Sequence, residues 1–425
     1  MEKSYLRLTI TRSLQICIIA IILLFSSSIA CRGQEEIRTE AKDVLKELVN
    51  MGFENIRCTE TESELIYTIE NNVYKAKGVG IAKAIEVIQS QGLPINKPCK
   101  VIVTHLEIPE LALTYRPSIG NDSIPNSNNT GWETSYDLGD SWKKIKDEKV
   151  QNSSRFKVDI VIYPQLSYKN LIITQIYQVL FTLSPAIEFS LWEGMKFTGQ
   201  VIIPIYNDGY GRRQDKVHPG FITISQSFRL PYNIKGRATL GCFNADRYGV
   251  DLRLFRPFSF DERFSLEAKV GMTGIGYWDG FKLHYDKDMT LTWTIGANFY
   301  WPKYNTQFSL KGEQYLMKEK GIKVEMIRHF RYASVGFYAM KAEHANSNGG
   351  FKFQILLPPY KYKRFKGNYK YIPRINTSNQ MGTIYNAGNE QLYYKQYKSE
   401  ASDNIMNNNS FNPYFIKSEL SNFNY

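Results

Sequence analysis

The stretch LTWTIGANFYW (291–301) decides the fold, because its side chains sort by alternate position. Every second residue from Leu291 to Trp301 is apolar, and the residues between them are Thr, Thr, Gly, Asn and Tyr. Successive side chains of a β-strand point to opposite faces. The stretch therefore predicts a strand with one wholly apolar face.

The same alternation occurs in residues 195–205, 262–272 and 306–313, where the charged side chains fall on one face only. A lipid-facing surface demands this, because Lys or Arg at the membrane midplane costs about 2–4 kcal/mol. A secreted soluble sandwich is the alternative, since its strands alternate in the same way. Aromatic residues near strand ends, such as Trp192, Trp293 and Trp301, are typical of the interfacial girdles of a barrel and favour the membrane protein.

Strand-length runs of this kind extend over residues 156–357, which we interpret as a transmembrane β-barrel. The count of candidate strands is about thirteen, and an even number is expected because both chain ends should lie in the periplasm. The sequence therefore predicts a mainly β protein with an antiparallel outer-membrane barrel of 12 or 14 strands. The run NGGFKFQI (348–355) resembles the β-signal of a last barrel strand, and Pro358-Pro359 cannot continue a ladder.

The inward positions of these strands mix acidic and basic residues. Opposed charges in a confined lumen tend to pair, so we expect a narrow or plugged interior and not a general porin. The predicted lining residues are Asp251, Arg253, Glu267, Lys269, Lys311, Glu313, Lys323 and Glu325.

Residues 1–30 have the organisation of a secretory signal peptide: a basic start, an apolar run over 14–25, and small residues before Cys31. A retained membrane anchor is the alternative, although the run is shorter than the roughly 20 residues that a spanning helix needs. Residues 28–31 loosely match a lipobox, so Cys31 is a candidate lipidation site. Ordinary cleavage after Ala30 is the other possibility.

Residues 31–115 predict a small periplasmic α/β domain, with amphipathic helices over 36–51 and 80–91 and short strands between and after them. Cys58 and Cys99 both fall in this domain, and an oxidising periplasm permits a disulfide between them. Residues 116–155 are polar and rich in turn formers, which favours a linker.

Residues 358–425 form a basic tail rich in Tyr and Asn, with YKYKRFK at 360–366. We expect it in the periplasm, either as a solvated segment or as a surface for an anionic glycan, peptidoglycan or a partner. The formal net charge of +12 does not indicate nucleic-acid binding, because the cations are scattered through the alternating segments.

Several separated phrases resemble the YjbH/GfcD-type family of exopolysaccharide-associated outer-membrane proteins. They are LVNMGFENIR (48–57), LSPAIEFSLWEGMKFTGQVIIPIYND (183–208), TLGCFNADRYGVDLRLFRPF (239–258), YWPKYNTQFSLKGEQYL (300–316), GIKVEMIRHF (321–330) and GGFKFQILLPP (349–359). The resemblance implies an outer-membrane barrel or barrel lipoprotein that helps to secrete or assemble an exopolysaccharide or capsule polymer. Its implied partners are the polymer, other export components and outer-membrane lipid. Some members are longer, so this chain is expected to hold a single barrel.

We therefore expect a non-enzymatic component of polysaccharide secretion, with no cofactor and no metal. The alternatives are a barrel enzyme acting on lipid or surface polymer, and a substrate-specific porin. None of His105, His218, His284, His329 and His344 lies in a nucleophile motif. The candidate glycan contacts are Arg212, Arg213, Arg247, Arg328 and His329, with Trp192 as a stacking surface.

Overall fold

A computed structural model describes residues 39–117, 131–170, 177–364, 374–377, 380–384, 395–401 and 411–421. The predicted signal peptide and Cys31 lie outside these ranges. Within them, no helix has both the length and the apolar character needed to cross a membrane.

The N-terminal domain is a five-stranded sheet in the order β1-β2-β3-β4-β5, with three helices. Its elements are α1 (Thr39–Met51), β1 (Glu54–Glu60), β2 (Leu65–Glu70), α2 (Lys77–Ser90), β3 (Cys99–His105), β4 (Ile108–Tyr115), β5 (Trp132–Ser135) and α3 (Ser141–Ile145). All neighbours are antiparallel except β2 and β3, which are parallel because α2 carries the chain back between them.

The domain is held by an ordinary apolar core between the sheet and the two long helices. Leu48 of α1, Ile85 of α2 and Ile56 of β1 are almost fully buried in it. Gly52 ends α1 with a positive φ of 98°, a conformation that favours glycine, and its N–H bonds to the Val49 carbonyl. The two predicted helices are thus present.

The predicted linker is largely part of this domain. β5 pairs with β4, and α3 covers the other face of the sheet, where Ile145 packs on Ile66 and Ile102. Residues 118–130 lie outside the described ranges. The polar composition of 131–155 suggested a linker because a single edge strand and a five-residue helix need few apolar side chains.

The rest of the chain is dominated by twelve long antiparallel strands, β6 to β17, each paired with its neighbour in sequence. Their bounds are β6 (Val158–Asn170), β7 (Tyr177–Phe189), β8 (Met195–Asp208), β9 (His218–Leu230), β10 (Ile234–Phe243), β11 (Arg247–Pro257), β12 (Phe264–Asp279), β13 (Lys282–Trp301), β14 (Thr306–Gln314), β15 (Lys320–His329), β16 (Ala333–Ala342) and β17 (Asn348–Leu356). The structure therefore contains the lower of the two predicted strand numbers.

Two short strands of the tail flank the first and last of these twelve. β18 (Arg374–Thr377) runs parallel to β6, and β19 (Gln380–Ile384) runs antiparallel to β17. β19 also contacts β6, so the sheet curves until its first and last strands approach each other, and we call this curved sheet the barrel. No pairing joins β6 directly to β17 in the described part of the chain, so the hydrogen-bonded ring is not closed.

The two faces of the barrel sheet are opposite in character. In the run 291–301, Ile295 is 62% exposed on the outside, whereas Thr292 is 1% exposed on the inside. Leu310 is 56% exposed, and its neighbour Ser309 is buried. The alternation seen in the sequence thus corresponds to an apolar exterior and a polar interior.

Strand direction alternates, so the connecting turns divide between two ends of the barrel. The N-terminal domain contacts the turns 190–194 and 258–263, and we call this the domain end; the turn 302–305 also lies there. The opposite end, called the far end, carries the turns 209–217 and 244–246.

The C-terminal tail is not a separate periplasmic segment in its described parts. Residues 395–401 lie inside the barrel, and α4 (Pro413–Ser421) packs on the N-terminal domain and on the domain end. The sequence predicted a solvated tail because these residues show neither helical nor strand periodicity strong enough to locate them. The position of residues 395–401 is set by ionic and aromatic contacts with the barrel. The position of α4 is set by Ile416 and Leu420, which join the apolar core of the N-terminal domain.

Candidate functional site

Three cations lie side by side across three neighbouring strands inside the barrel. The register pairs Arg237 of β10 with Arg253 of β11, and Arg253 with Lys269 of β12. We call these three residues the cationic row. Like charges directly opposite each other on a sheet destabilise it, so the row needs anions close by.

One of these anions belongs to the barrel itself. Asp251 is 0% exposed, and its carboxylate lies 3.0 Å from Arg253 Nε and 3.5 Å from Lys269 Nζ. A buried carboxylate between two cations is a favourable arrangement only when its remaining oxygen lone pairs are also used. Those bonds come from the tail.

Residues 395–401, which we call the tail plug, cover the cationic row. The Tyr397 and Ser399 hydroxyls each donate to an Asp251 oxygen at 2.8 Å. The Glu400 carboxylate lies 2.5 Å from Arg237 Nη1 and 4.0 Å from Arg253 Nη1. The tail plug therefore adds a second carboxylate beside the three cations of the row.

The ring of Tyr397 adds a further contact to the row. Lys269 Nζ lies 3.9 Å from the centre of this ring, and its ammonium donates to the Tyr397 carbonyl at 3.2 Å. The ring also stacks on Phe243, with 5.3 Å between ring centres. A cation against an aromatic face is attracted by the ring quadrupole, which holds the tail plug in a defined place.

A second ionic cluster surrounds Glu325 of β15. This side chain is 3% exposed, and its carboxylate lies within 3.2 Å of the ammonium groups of Lys311, Lys323 and Lys352. Lys311 also contacts Glu267 at 2.6 Å. The predicted pairing of opposed charges in the lumen is thus present.

A cavity of about 1060 Å³ extends between the N-terminal domain and the barrel interior. Its lining includes fourteen Lys and Arg side chains against eight Asp and Glu, and all three members of the cationic row belong to it. Aromatic rings are frequent in the lining, among them Tyr136, Phe255, Tyr397 and Phe411. The cavity is therefore basic and rich in flat apolar surfaces.

The N-terminal domain is attached to the domain end by buried polar contacts. Glu262, in the turn before β12, accepts bonds from the Ser135 hydroxyl at 2.6 Å and the Tyr136 N–H at 2.9 Å. Burial at this contact raises the pKa of Glu262 above its ordinary value. Lys235 contacts Glu110 at 2.7 Å nearby. The domain thus forms the floor of the cavity.

The predicted glycan contacts do not form one site. Arg212, Arg213 and Arg247 lie at the far end, where Arg213 pairs with Asp246 at 2.6 Å. Arg328 and His329 end β15 at the domain end, and Trp192 lies there in the turn before β8.

Trp192 and Arg328 are both exposed at the domain end, but neither lines the cavity. The Trp192 indole N–H bonds to the Gln226 side chain at 2.8 Å. The Arg328 guanidinium lies over the Phe330 ring at 5.2 Å. Both contacts are local and hold side chains of the barrel rim.

His329 contacts a serine hydroxyl, as the histidine of a catalytic triad does. Its Nδ1 lies 2.9 Å from the Ser334 hydroxyl. Both side chains are buried, and Phe415 of α4 packs against the imidazole. Because a polymer or lipid cannot reach the hydroxyl there, the pair supports a structural role.

His105 is the histidine that lines the cavity, at the end of β3. Its ring packs against Phe411, with 5.9 Å between ring centres, and burial holds the pKa of the imidazole well below its ordinary value. Among the described residues, no group of three or more His, Cys, Asp or Glu side chains is placed to hold a metal ion.

The two cysteines of the N-terminal domain are free thiols, which corrects the predicted disulfide. Cys58 lies opposite Tyr67 of β2, and Cys99 lies opposite Leu65 of the same strand. β2 therefore lies between the strands of the two cysteines, and two strand spacings put their backbones about 10 Å apart. This is beyond the reach of an S–S bond. Burial raises the pKa of Cys58 to about 12.

Four residues that form ion pairs or hydrogen bonds in the lumen were not predicted from the sequence. They are Arg237, Lys352, Tyr397 and Glu400. A signal was present for Lys352, which alternates with Phe351 and Phe353 in β17. No periodicity points to Tyr397 or Glu400, because the tail plug is irregular.

No protein-family model matches the sequence, and no curated protein matches it. Among solved structures, in-vitro folded OmpT, an outer membrane protein of Vibrio cholerae, is 8% identical over 48% of this chain and 83% of its own, with a TM-score of 0.27. Its loop L8 deletion mutant is 8% identical over 47% of this chain and 87% of its own, at 0.24. A triple mutant of the Rh. blastica porin is 8% identical over 47% of this chain and 90% of its own, at 0.26.

Proposed function

We propose that this protein is an outer-membrane β-barrel that acts, without catalysis, in the secretion or assembly of an exopolysaccharide or capsule polymer. The observation that carries the membrane part is the inversion of the barrel faces. A soluble sandwich encloses its apolar face, whereas this sheet encloses Ser, Thr, Asp and Glu and exposes its Leu, Ile, Val and Phe side chains.

The exposed apolar side chains are distributed over the strands from β7 to β17 and not in one patch. Examples from successive strands are Ile187, Ile203, Ile224, Leu240, Val250, Val270, Ile295, Leu310, Val324, Phe337 and Ile355. Soluble monomers rarely expose apolar area on this scale, because it drives association in water. Hydrocarbon outside the barrel removes that cost.

The polymer part of the proposal rests on the cavity and on the family resemblance. Cations interleaved with aromatic rings suit an acidic sugar, because the cations attract its charge and the rings offer stacking surfaces. The phrases that resemble the YjbH/GfcD-type family suggest the substrate class of this proposal. The N-terminal domain, in this proposal, faces the periplasm and contacts other export components.

Deletion of the gene and measurement of surface polysaccharide test the proposal directly. We expect the polymer to be reduced or lost and to return when the wild-type gene is supplied in trans. Unchanged polymer would refute the export role, and altered turnover of lipid or polymer with normal export would support the enzyme alternative.

Membrane location is tested separately, by fractionation of the same cells. The protein should sediment with outer membranes and require detergent for extraction. Recovery of the processed chain in the soluble fraction would refute the barrel. In planar bilayers we expect low ion conductance, because the tail plug occupies the lumen; a large open pore would support the porin alternative.

A further inference from the structure

We infer that the cationic row binds the carboxylates of an acidic oligosaccharide, and that the tail plug occupies this site as a displaceable internal substitute. The inference rests on the proposed function only in taking a glycan as the source of the carboxylate. Its three elements are the row itself, the contacts of the tail plug and the cavity that connects them to free space.

The row is short of anions from the barrel. Asp251 contacts Arg253 and Lys269, whereas the carboxylate that contacts Arg237 is Glu400 of the tail plug. A barrel that needed only structural neutrality could place a second acidic residue on a neighbouring strand, as it does around Glu325. Here the counterion comes instead from a separate segment of chain.

The tail plug presents the chemical groups of a uronic acid. Glu400 supplies one carboxylate to the two arginines, and the Tyr397 and Ser399 hydroxyls donate to Asp251 as sugar hydroxyls do. The ring of Tyr397 lies flat against Phe243 and close to Lys269. The pyranose ring of a sugar stacks on an aromatic side chain in the same manner, so Phe243 would remain as a stacking surface once Tyr397 has left.

The row is accessible from the cavity. Arg237, Arg253 and Lys269 all line it, together with Tyr397 and Glu400. Its volume of about 1060 Å³ is slightly larger than that of ordinary ligand sites, which span about 300–1,000 Å³. A short run of sugar residues fits this space, and the basic lining selects an acidic one.

The test compares ligand binding by the full chain, folded in detergent micelles, with and without the internal carboxylate. The probe is tetragalacturonate, with neutral maltotetraose as the control ligand, measured by isothermal titration calorimetry. For Glu400→Gln we expect tetragalacturonate to bind about tenfold tighter than to wild type, because a tethered competitor at about millimolar effective concentration has been removed. Maltotetraose should bind neither protein.

Glu419→Gln is the matched control variant. It also removes a glutamate of the tail, one that contacts Arg331 at 2.9 Å, but it leaves the cationic row untouched. Its affinity for tetragalacturonate should equal that of wild type. Arg237→Gln combined with Glu400→Gln should lose the tighter binding.

Tyr397→Phe provides a second route to the same conclusion if Glu400→Gln does not fold. It removes one hydrogen bond to Asp251 and should raise the affinity by a smaller factor, about threefold, because the tail plug is held less firmly. Equal affinity of wild type and of the folded plug variants would overturn the inference, as would equal binding of maltotetraose.

These outcomes separate this inference from the proposed function. Loss of surface polymer on gene deletion, with no effect of Glu400→Gln on binding, would leave the export role standing and refute the internal substitute. Tighter binding by Glu400→Gln with unchanged polymer in the deletion strain would support the internal substitute and refute the export role.

Discussion

The N-terminal domain encloses apolar side chains, whereas the barrel encloses polar and charged ones. In the domain, Leu48 and Ile56 are enclosed and charged helix positions such as Glu47 face outward. In the barrel, Leu310 faces outward and Glu325 is enclosed. The two regions show that enclosed side chains need not be apolar, and the proposed lipid surroundings of the barrel would account for the difference.

The difference also determines what holds each region together. The domain is stabilised by the removal of apolar area from water. The apolar side chains on the barrel exterior are not buried within the sheet, so the barrel interior depends on hydrogen bonds and on ion pairs such as those around Glu325 and Asp251. Substitutions of matched type should therefore act differently in the two regions.

The largest effect is expected from Glu325→Gln in the barrel interior. Removal of the carboxylate leaves Lys311, Lys323 and Lys352 as enclosed cations with a lost common partner, which costs about 3–5 kcal/mol when one member of a buried pair is removed. Urea unfolding of the protein in lipid vesicles, followed on gels by heat-modifiable mobility, measures this loss. Glu343→Gln, at an exposed far-end turn, should change stability by less than about 0.5 kcal/mol. Equal stability of the two variants would contradict an interior held by ion pairs.

Leu48→Ala should destabilise the N-terminal domain by about 2–5 kcal/mol, because it leaves a void in a fully enclosed apolar site. Hydrogen exchange of the α1 and α2 amides in the full chain should become faster, while the barrel strands keep their protection. Glu47→Ala, one residue away on the exposed side of α1, should leave exchange unchanged. An equal effect of both substitutions would show that α1 is not packed as described.

Leu310→Arg should cost about 2–4 kcal/mol in lipid vesicles, because it places a cation against hydrocarbon at a mid-strand position. Leu310→Phe keeps the apolar character and should fold as wild type does. The measurement is the same urea titration. A stable Leu310→Arg protein in lipid would mean that this face does not contact hydrocarbon.

The last prediction concerns the rate of thiol alkylation and not the free energy of unfolding. Burial raises the pKa of Cys58 from 9.0 to about 12, so the reactive thiolate at pH 8 is rarer by roughly 1000-fold than for an ordinary thiol. Iodoacetamide should label Cys58 and Cys99 only after unfolding, without prior reduction. Ser63→Cys, at an exposed turn of the same domain, should react at once. If labelling of the unfolded chain required a reductant, the result would support the disulfide between Cys58 and Cys99 and contradict the structure.

Much of this architecture follows from the sequence. The period-two runs at 195–205 and 291–301 predict which side chains face outward, and the helical spacing at 36–51 predicts α1. The predicted lumen residues Asp251, Lys311 and Glu325 also lie inside. In each case a local pattern repeats often enough to report the environment of the side chain.

Other features could not be obtained in this way. The tail plug has no period because its place is set by contacts with strands more than a hundred residues earlier, such as Tyr397 with Asp251. The glycan contacts were chosen by residue type alone. Trp192 precedes β8 and Arg212 follows it, so the direction of this one strand already places them at opposite ends of the barrel. The cationic row could not be predicted in this way, because it depends on the register between three strands.

In the proposed outer-membrane location, the tail strands β18 and β19 have a consequence for the two edge strands of the sheet. A lone amide or carbonyl facing hydrocarbon costs several kcal/mol, so the first and last staves of a barrel need partners along their free sides. β18 supplies backbone bonds to β6, and β19 supplies them to β17. In that location, a chain shortened after residue 364 would expose unpaired peptide groups of β6 and β17 to lipid.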